Sequence, residues 1–230
     1  MMISTLLRVT STAAVLATAT FQAFALDLNN TSMGGNFSVP VTSFAERKFE
    51  TIYRQQYDFS CGSAALASLL TFHYQDTVSE IDVFLDMFEH GDQEKIQHQG
   101  FSMLDMKHYL ERRGYSANGF KVSLDRLNIP AITIINQNGY LHFVIVKGLS
   151  PTEVLVGDPS VGVKRLEKKK FNEMWESRIL FLVENKATVG AASYQRESEW
   201  ALNPRSPVAN ALDRSSLAEF NLLRRNYDDL

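Results

Sequence analysis

The sequence predicts an α+β fold in which a helical lobe is followed by a lobe built on an antiparallel β-sheet. Two observations support this class. Between residues 61 and 114, apolar residues recur at helical spacing in segments bounded by capping residues. Between residues 115 and 183, β-branched runs alternate with turns, and Asn138-Gly139 is a strong signal for a hairpin turn. Helices first and strands second predict two packed lobes.

The amino terminus predicts export. Residues 1–8 carry a little positive charge, residues 9–21 are small and apolar, and Ala23-Phe24-Ala25 places small residues where signal peptidase reads them. We therefore expect a signal peptide at residues 1–25 and a mature chain from about Leu26. A membrane anchor is the alternative, although the stretch is short for a ~30 Å hydrocarbon layer. Residues 26–50 are expected to be an extended lead-in.

The domain itself is expected at residues 51–186 and begins with helices. The first helix should run from Cys61 to about residue 74. Ser79 can cap a second helix that stops before Gly91, and Ser102 can cap a third that Gly114 ends. The polar, glycine-bounded residues between the second and third helices predict a loop.

The second half predicts an antiparallel sheet, and the chain then changes in composition. The expected strands are at residues 119–122, 131–136, 140–146, 153–156, 163–166 and 179–183, with a turn of helix at 171–175. After Lys186 the chain is rich in Ala, Gly, Ser, Asn and Pro, so we expect the core to end there. Residues 187–230 are a predicted C-terminal extension, in which residues 213–227 could form a weakly amphipathic helix.

Charge and metal-ligand spacing exclude some functions. The net charge of −3 and the pI of about 6.0 do not indicate the excess of positive charge that binds nucleic acid or an anionic membrane. His90 and His98 flank the predicted loop, but no carboxylate or cysteine lies at a ligand spacing from them. We therefore expect no metal and no cofactor.

Cys61 is the only cysteine of the chain, and it lies where a turn-prone segment gives way to a helix. Cysteines of exported proteins usually come in pairs, so this one is either reactive or buried. A helix N-terminus favours the nucleophilic thiolate over the thiol. Gly62, Ser63 and Ala64 are expected to leave open space beside the sulfur. The alternative is that Cys61 is a small buried apolar residue.

A cysteine nucleophile needs a base, and His142 is the strongest candidate among five histidines. It lies in an otherwise apolar strand, where a polar ring must find a partner or line a cleft. Asp158 ends the next strand, so its carboxylate could accept a hydrogen bond from the ring and fix its tautomer. The alternatives are a satisfied sheet histidine and an Asp-Pro turn. His73 lies about three turns along the first helix, too far to touch Cys61.

Peptide hydrolysis also needs donors for the oxyanion of the tetrahedral intermediate. The backbone N–H of Cys61 is one candidate, and the side-chain amide of Gln55 or Gln56 is the second. Neighbouring residues of an extended segment point to opposite sides, so only one glutamine can reach the sulfur. The alternative for either is a polar loop residue.

The motifs around these residues resemble a known family. A glutamine, then DFSCGSAAL at 58–66, LHFVIV at 141–146 and VGDP at 156–159 are similar to the bacteriocin-processing, double-glycine-leader cysteine peptidases, family thirty-nine of the papain-like cysteine peptidases. The resemblance implies a papain-like fold with Cys61 as nucleophile, His142 as general base and acid, and Asp158 as orienting residue. It places Gln55, six residues before the cysteine, in the oxyanion hole.

The resemblance also shapes the expected biology. Familiar members are fused to a membrane ABC exporter, whereas for this chain we expect a signal peptide and no ATP-binding domain. It is most similar to stand-alone exported members linked to functional-amyloid (Fap-type) secretion systems. We therefore expect a periplasmic cysteine endopeptidase that cleaves a precursor or leader peptide, with cleavage after Gly-Gly as the further implication. Components of an outer-membrane secretion system are the implied partners.

Two other functions remain open from the sequence. A catalytically silent leader-binding or assembly module could keep the same fold. An amidase or acyl transferase could use the same triad. The complete set of Cys61, His142, Asp158 and a glutamine argues against silence, since a binding module need not keep all four.

Overall fold

The structure is a computed structural model that describes residues 25–28, 37–40 and 43–202. The signal peptide predicted at residues 1–25 lies outside these residues apart from Ala25, and the helix predicted at residues 213–227 lies outside them entirely. No helix in the described part of the chain is long and apolar enough to span a membrane.

The chain divides into two compact units, Met1–Thr42 and Ser43–Leu230. In the first unit, strand β1 (Ala25–Leu28) pairs antiparallel with strand β2 (Phe37–Pro40), and Ala25 faces Pro40 in the register. Apart from Ala25, this two-stranded ribbon lies within the lead-in predicted at residues 26–50. The lead-in is not extended throughout, because Phe44–Arg47 form a short helix.

The second unit opens with a helical lobe. Helix α1 (Phe44–Arg47) has a capping box in which the side chains and backbone N–H groups of Ser43 and Glu46 bond reciprocally. Helix α2 (Cys61–His73) is buried on nearly all sides, as its run of small and apolar residues requires. It packs on α3 (Glu80–His90) and α5 (Met103–Arg112).

Serine caps start α3 and α5, as predicted from the sequence. The Ser79 hydroxyl accepts from the backbone N–H of Asp82 at 3.2 Å, and the Ser102 hydroxyl accepts from that of Asp105 at 3.2 Å. Arg113 is the C-cap of α5, and Gly114 follows at φ 77°, a conformation that glycine adopts without strain.

The prediction of a loop at residues 91–100 is wrong. Helix α4 (Gln93–Gln99) occupies most of it, and the Asp92 carboxylate caps this helix by accepting from the Lys95 N–H at 3.1 Å. Only Ile96 of the helix is buried. A seven-residue helix with one anchoring side chain carries too few apolar positions to show a period.

A six-stranded antiparallel sheet forms the second lobe, in the order β3-β8-β4-β5-β6-β7. The strands are β3 (Ala117–Phe120), β4 (Ala131–Gln137), β5 (Tyr140–Leu149), β6 (Glu153–Asp158), β7 (Gly162–Glu167) and β8 (Leu180–Val183). Helix α6 (Lys168–Met174) joins β7 to β8. The predicted α+β class, with helices before strands, is confirmed.

The turn between β4 and β5 fixes the register of the hairpin. Asn138 and Gly139 have φ values of 55° and 92°, the sign that a tight two-residue hairpin turn requires at both positions. Gln137 therefore faces Tyr140, and His142 faces Ile135. Register decides the face on which each side chain lies, so this turn helps to set the position of His142.

Two apolar clusters occupy the two faces of the sheet. Phe143 and Ile145 of β5 pack in the cluster that includes Leu66 of α2. The alternate residues of β5 pack in a second cluster that includes Phe171 of α6. Because successive side chains of β5 point to opposite faces of the sheet, the strand packs on the helical lobe with one face and on α6 with the other.

The packed structure continues past Lys186, where the change of composition had suggested the end of the core. Helices α7 (Ala187–Ala192) and α8 (Glu197–Ala201) follow. Glu199 is buried and accepts from the buried Lys147 Nζ at 2.7 Å. Lys147 also donates to the carbonyl and hydroxyl of Thr51, at 3.0 and 2.6 Å. Burial lowers the pKa of Lys147 to about 8 in spite of the adjacent Glu199 carboxylate.

We predict that Glu199→Ala lowers the free energy of unfolding by about 3 kcal/mol, because it leaves the Lys147 ammonium buried without a counter-charge. Urea unfolding measures the change. Glu197→Ala removes an exposed carboxylate from the same helix and should change stability by less than about 0.5 kcal/mol. Equal stability of the two variants would contradict a role for the buried pair in holding residues 187–202.

Candidate active site

Cys61 is the first residue of α2, and only 6% of its surface is exposed. The residue before it, Ser60, has φ −94° and ψ 9° and makes no side-chain cap on the helix. The sulfur therefore lies at the positive end of a helix that no side chain of the N-cap residue covers.

The small residues after Cys61 serve packing, which differs from the open space expected from the sequence. Gly62, Ser63 and Ala64 are all buried. A Cβ atom on Gly62 would lie 3.0 Å from Met106 Cε and 3.1 Å from Phe101 Cβ. Their small size lets the start of α2 approach neighbouring side chains closely.

His142 and Asp158 form a buried hydrogen-bonded pair between neighbouring strands. The distance from His142 Nε2 to Asp158 Oδ1 is 2.7 Å. The ring is 2% exposed and the carboxylate fully buried. The carboxylate accepts from Nε2, which leaves Nδ1 as the nitrogen that can exchange a proton with another group. Nδ1 is buried and makes no hydrogen bond of regular geometry with a described residue.

The Asp158 carboxylate stays ionised because several donors surround it. Oδ1 also accepts from the Ser160 backbone N–H at 2.9 Å and its hydroxyl at 2.6 Å. Oδ2 accepts from Lys164 Nζ at 2.6 Å, and Gln137 Nε2 lies 3.5 Å from it. Burial alone would raise the pKa of Asp158, but His142, Lys164 and Ser160 together hold it well below its usual value.

The same pair controls the protonation of His142. Burial lowers the pKa of the ring, but the Asp158 carboxylate and the neighbouring Cys61 sulfur outweigh burial and raise it to about 9. The ring therefore carries its proton at neutral pH. Because the pKa is raised on folding, the charged ring contributes stability below about pH 6.5, and this contribution is lost as the pH rises through about 9.

The two glutamines occupy different environments. Gln55 is half-buried; its backbone N–H donates to Pro159 O at 3.0 Å, and its side-chain Nε2 donates to Tyr57 O at 3.3 Å. Its Oε1 is buried without a hydrogen-bond partner among the described residues. Gln56 is exposed. The bond to Pro159 ties Gln55 to the turn that follows Asp158, so the segment before Cys61 and the end of β6 lie together.

Tyr140 is a neighbour of the site that the sequence reasoning missed. Its hydroxyl donates to Asp58 O at 2.5 Å, and its ring centroid lies 5.9 Å from that of His142. Burial and the nearby Cys61 and Asp58 raise its pKa. Tyr140 lies two residues before His142 and therefore on the same face of the strand, and this spacing could have predicted it as a neighbour of the site. Tyr140 joins the start of β5 to the loop before the cysteine.

The other histidines lie away from this site or on the surface. His73 is buried at the end of α2, where Nδ1 is 2.7 Å from Ser193 Oγ. Burial, with Lys147 and Arg196 nearby, lowers its pKa well below the usual value, so it is neutral. The remaining three, His90, His98 and His108, are exposed.

A groove of ≈ 870 Å³ opens beside Cys61. Most of its wall is apolar, and the large apolar side chains that line it include Phe59, Phe101, Leu104, Ile134, Leu141 and Phe143. Leu104 and Leu141 expose more than half of their surface. A groove of this size and character suits an extended segment with apolar side chains.

The fold and this arrangement define a class. A helical lobe packed on an antiparallel sheet, with a cysteine at a helix N-terminus beside a histidine on a strand, is the architecture of papain-like cysteine peptidases. The model of the peptidase C39 family matches residues 50–187, and the chain belongs to this family. It is a cysteine-type endopeptidase.

Similar proteins share most of the chain. It is 36% identical over 224 residues to the "Probable functional amyloid protease FapD" of Pseudomonas aeruginosa, covering 93% of this chain and 96% of that one. The protein of the same name from Pseudomonas fluorescens is 42% identical over 146 residues, covering 62% and 64%. The solved peptidase domain of Streptococcus ComA, a bi-functional ABC transporter, matches the fold with a TM-score of 0.50 at 21% identity, covering 58% of this chain and 96% of that domain.

We predict that Gln55→Ala lowers turnover by roughly a hundredfold to a thousandfold with little change in KM, because an oxyanion donor acts mainly in the transition state. Gln56→Ala is the matched control, since its side chain is exposed and should cost far less. Steady-state kinetics of both variants on one peptide measure the difference. A large loss at Gln56 with Gln55 silent would reverse the assignment.

Proposed function

We propose that the chain is an exported, periplasmic cysteine endopeptidase that cleaves a precursor or leader peptide of a secreted protein. Cys61 is the proposed nucleophile, His142 the general base and acid, Asp158 the orienting residue and Gln55 an oxyanion donor. The observation that carries the proposal is the 2.7 Å bond from His142 Nε2 to Asp158, which leaves Nδ1 as the nitrogen for Cys61.

The first half of the reaction follows from these positions. The Cys61 thiolate attacks the carbonyl carbon of the scissile peptide, and the C=O electrons move to oxygen. The Cys61 N–H and the Gln55 amide stabilise that oxyanion. Protonated His142 then gives its proton to the leaving nitrogen, the C–N bond breaks, and the amine departs from a thioester on Cys61.

The second half returns the enzyme to its starting state. Neutral His142 takes a proton from a water molecule, whose oxygen attacks the thioester carbon. The C–S bond breaks and releases the carboxylate product and the Cys61 thiolate. Asp158 stays ionised throughout and holds the ring in one orientation, as its buried and multiply hydrogen-bonded carboxylate suits it to do.

Features of the site support a substrate with small residues beside the scissile bond. Cys61 is only 6% exposed, and the start of α2 packs closely against Phe101 and Met106. A side chain next to the scissile carbonyl would have little room. The family resemblance points to Gly-Gly at these positions, and the apolar groove offers room for side chains further along the peptide.

Export and a secretion partner rest on the amino-terminal pattern and on the relatives. The name "functional amyloid protease" of the Pseudomonas proteins supports a substrate that is secreted to form fibres. Components of an outer-membrane secretion system are the proposed partners.

We predict that Cys61→Ser retains the fold and lowers peptide cleavage by several orders of magnitude, since a serine hydroxyl is far less acidic than a thiol. His142→Ala should lose activity similarly, and His108→Ala, which removes an exposed helix histidine, is its control. Cleavage of synthetic peptides followed by mass spectrometry measures these losses.

Peptides carrying Gly-Gly, Ala-Ala and Leu-Leu should be cleaved by the parent protein at rates that fall in that order.

Different results would contradict different parts of the proposal. Parent-like turnover in Cys61→Ser would overturn the nucleophile. Equal rates on the three peptides would remove the Gly-Gly preference and leave the peptidase intact. Peptide binding without cleavage by the parent protein would favour a silent binding module.

A further inference from the structure

Glu80 is a buried carboxylate that the proposed reaction does not use. It is the first residue of α3, 7% exposed, and lies against the loop at residues 56–60. It forms no ion pair within the described part of the chain, and its Oε2 is buried without a hydrogen-bond partner there. Burying a polar group is unfavourable unless its hydrogen bonds offset the loss of water, so the position of this side chain calls for a role.

The other oxygen of Glu80 contacts both ends of that loop. Oε1 accepts from the Ser60 hydroxyl at 2.7 Å and lies 3.4 Å from the Gln56 backbone nitrogen. The shorter of the two bonds is made with the residue directly before Cys61. The residue directly before Gln56 is Gln55, so each contact lies next to a proposed oxyanion donor.

The loop is closed on itself between these contacts. The Tyr57 N–H donates to Ser60 Oγ at 3.1 Å, and the Ser60 N–H donates to Tyr57 O at 3.0 Å. Gln55 donates its side-chain N–H to the same Tyr57 carbonyl at 3.3 Å. One carboxylate therefore supports a short, internally bonded loop whose two ends carry the Gln55 side chain and the Cys61 N–H.

Glu80 is itself fixed relative to the cysteine. The residue two positions before it, Val78, is bonded to Thr71 of α2: its N–H donates to Thr71 Oγ1 at 3.1 Å, and that hydroxyl donates to Val78 O at 3.0 Å. Ser79 then caps α3. Helix α2 also carries Cys61, so the carboxylate and the sulfur are held on one rigid frame.

We propose that Glu80 is a positioning residue, which holds residues 56–60 through Ser60 and so keeps the Cys61 N–H and the Gln55 amide at the place where the oxyanion forms. This inference rests on the proposed function. Oxyanion donors must lie about 2.7–3.1 Å from the developing charge. A displacement of about 1 Å can lower the rate roughly a hundredfold. The effect belongs to the transition state, so kcat changes and KM does not.

The first experiment compares two changes at Glu80. Glu80→Ala is expected to lower kcat by roughly tenfold to a hundredfold, with KM within about twofold of the parent value. Glu80→Gln keeps an oxygen that can accept from Ser60 and should recover most of the activity. Asp82→Ala is the matched control, because it removes an exposed first-turn carboxylate of the same helix, whose side chain accepts a hydrogen bond from the Ser79 hydroxyl.

The second experiment tests whether the effect passes through Ser60. Ser60→Ala removes the hydroxyl that bonds Glu80 and should lower kcat by a similar factor. The double variant, Glu80→Ala with Ser60→Ala, should lose little more kcat than the slower of the two single variants, because both changes break the same Glu80–Ser60 hydrogen bond. Fully additive losses would overturn the route through Ser60. Ser60→Ala and Glu80→Gln also carry the test if Glu80→Ala fails to fold.

The outcomes separate positioning from mere stability and from the proposed function. Turnover is expressed per folded molecule, with the folded fraction of each variant taken from its unfolding curve, so an unfolded fraction does not lower it. Parent-like kcat with a lower unfolding midpoint in Glu80→Ala, or a rise in KM alone, would overturn the role of Glu80. Cys61→Ser is read separately: retained turnover there contradicts the proposed function, while lost turnover there with parent-like Glu80→Ala contradicts only this inference.

Discussion

The hydrogen bond between His142 and Asp158 is the interaction on which the rest of the site depends. It joins two neighbouring strands and fixes the ring with Nδ1 free of Asp158 and available to the proposed nucleophile Cys61. The bond persists because Asp158, fully buried, receives further donors from Ser160 and Lys164. The His142 ring and these donors together keep the carboxylate ionised against the effect of burial, and its negative charge in turn raises the pKa of the ring.

The rest of the fold brings the cysteine to this pair. The loop before Cys61 is held at three points that belong to different elements: Gln55 bonds Pro159 after β6, Asp58 receives the Tyr140 hydroxyl from β5, and Ser60 bonds Glu80 of α3. Each contact crosses from one part of the domain to another. The geometry of the proposed oxyanion site therefore follows from tertiary packing, since the Ser60 side chain makes no cap on the helix.

Local chemistry made much of this architecture predictable. The Ser79 and Ser102 caps and the Asn138-Gly139 turn could each be predicted from residues within four positions of one another. The structure has each of them at the predicted position. Interactions between residues far apart in the sequence could not be predicted. Ser60 donates to Glu80, 20 positions away, and Lys147 donates to Glu199, 52 positions away. The motif pattern therefore indicated the proposed catalytic residues, whereas the residues that hold them in place could be found only from the three-dimensional structure.

The most direct test of this account is the titration of His142, followed by NMR of ring-labelled histidine and assigned with a His142→Gln variant. The account predicts that the ring keeps its proton to about pH 9, because Asp158 and Cys61 outweigh burial. In Asp158→Asn the midpoint should fall, since the carboxylate charge is gone. A midpoint at or below about 6.5 in the parent protein, unchanged by Asp158→Asn, would show that burial dominates and would contradict the account.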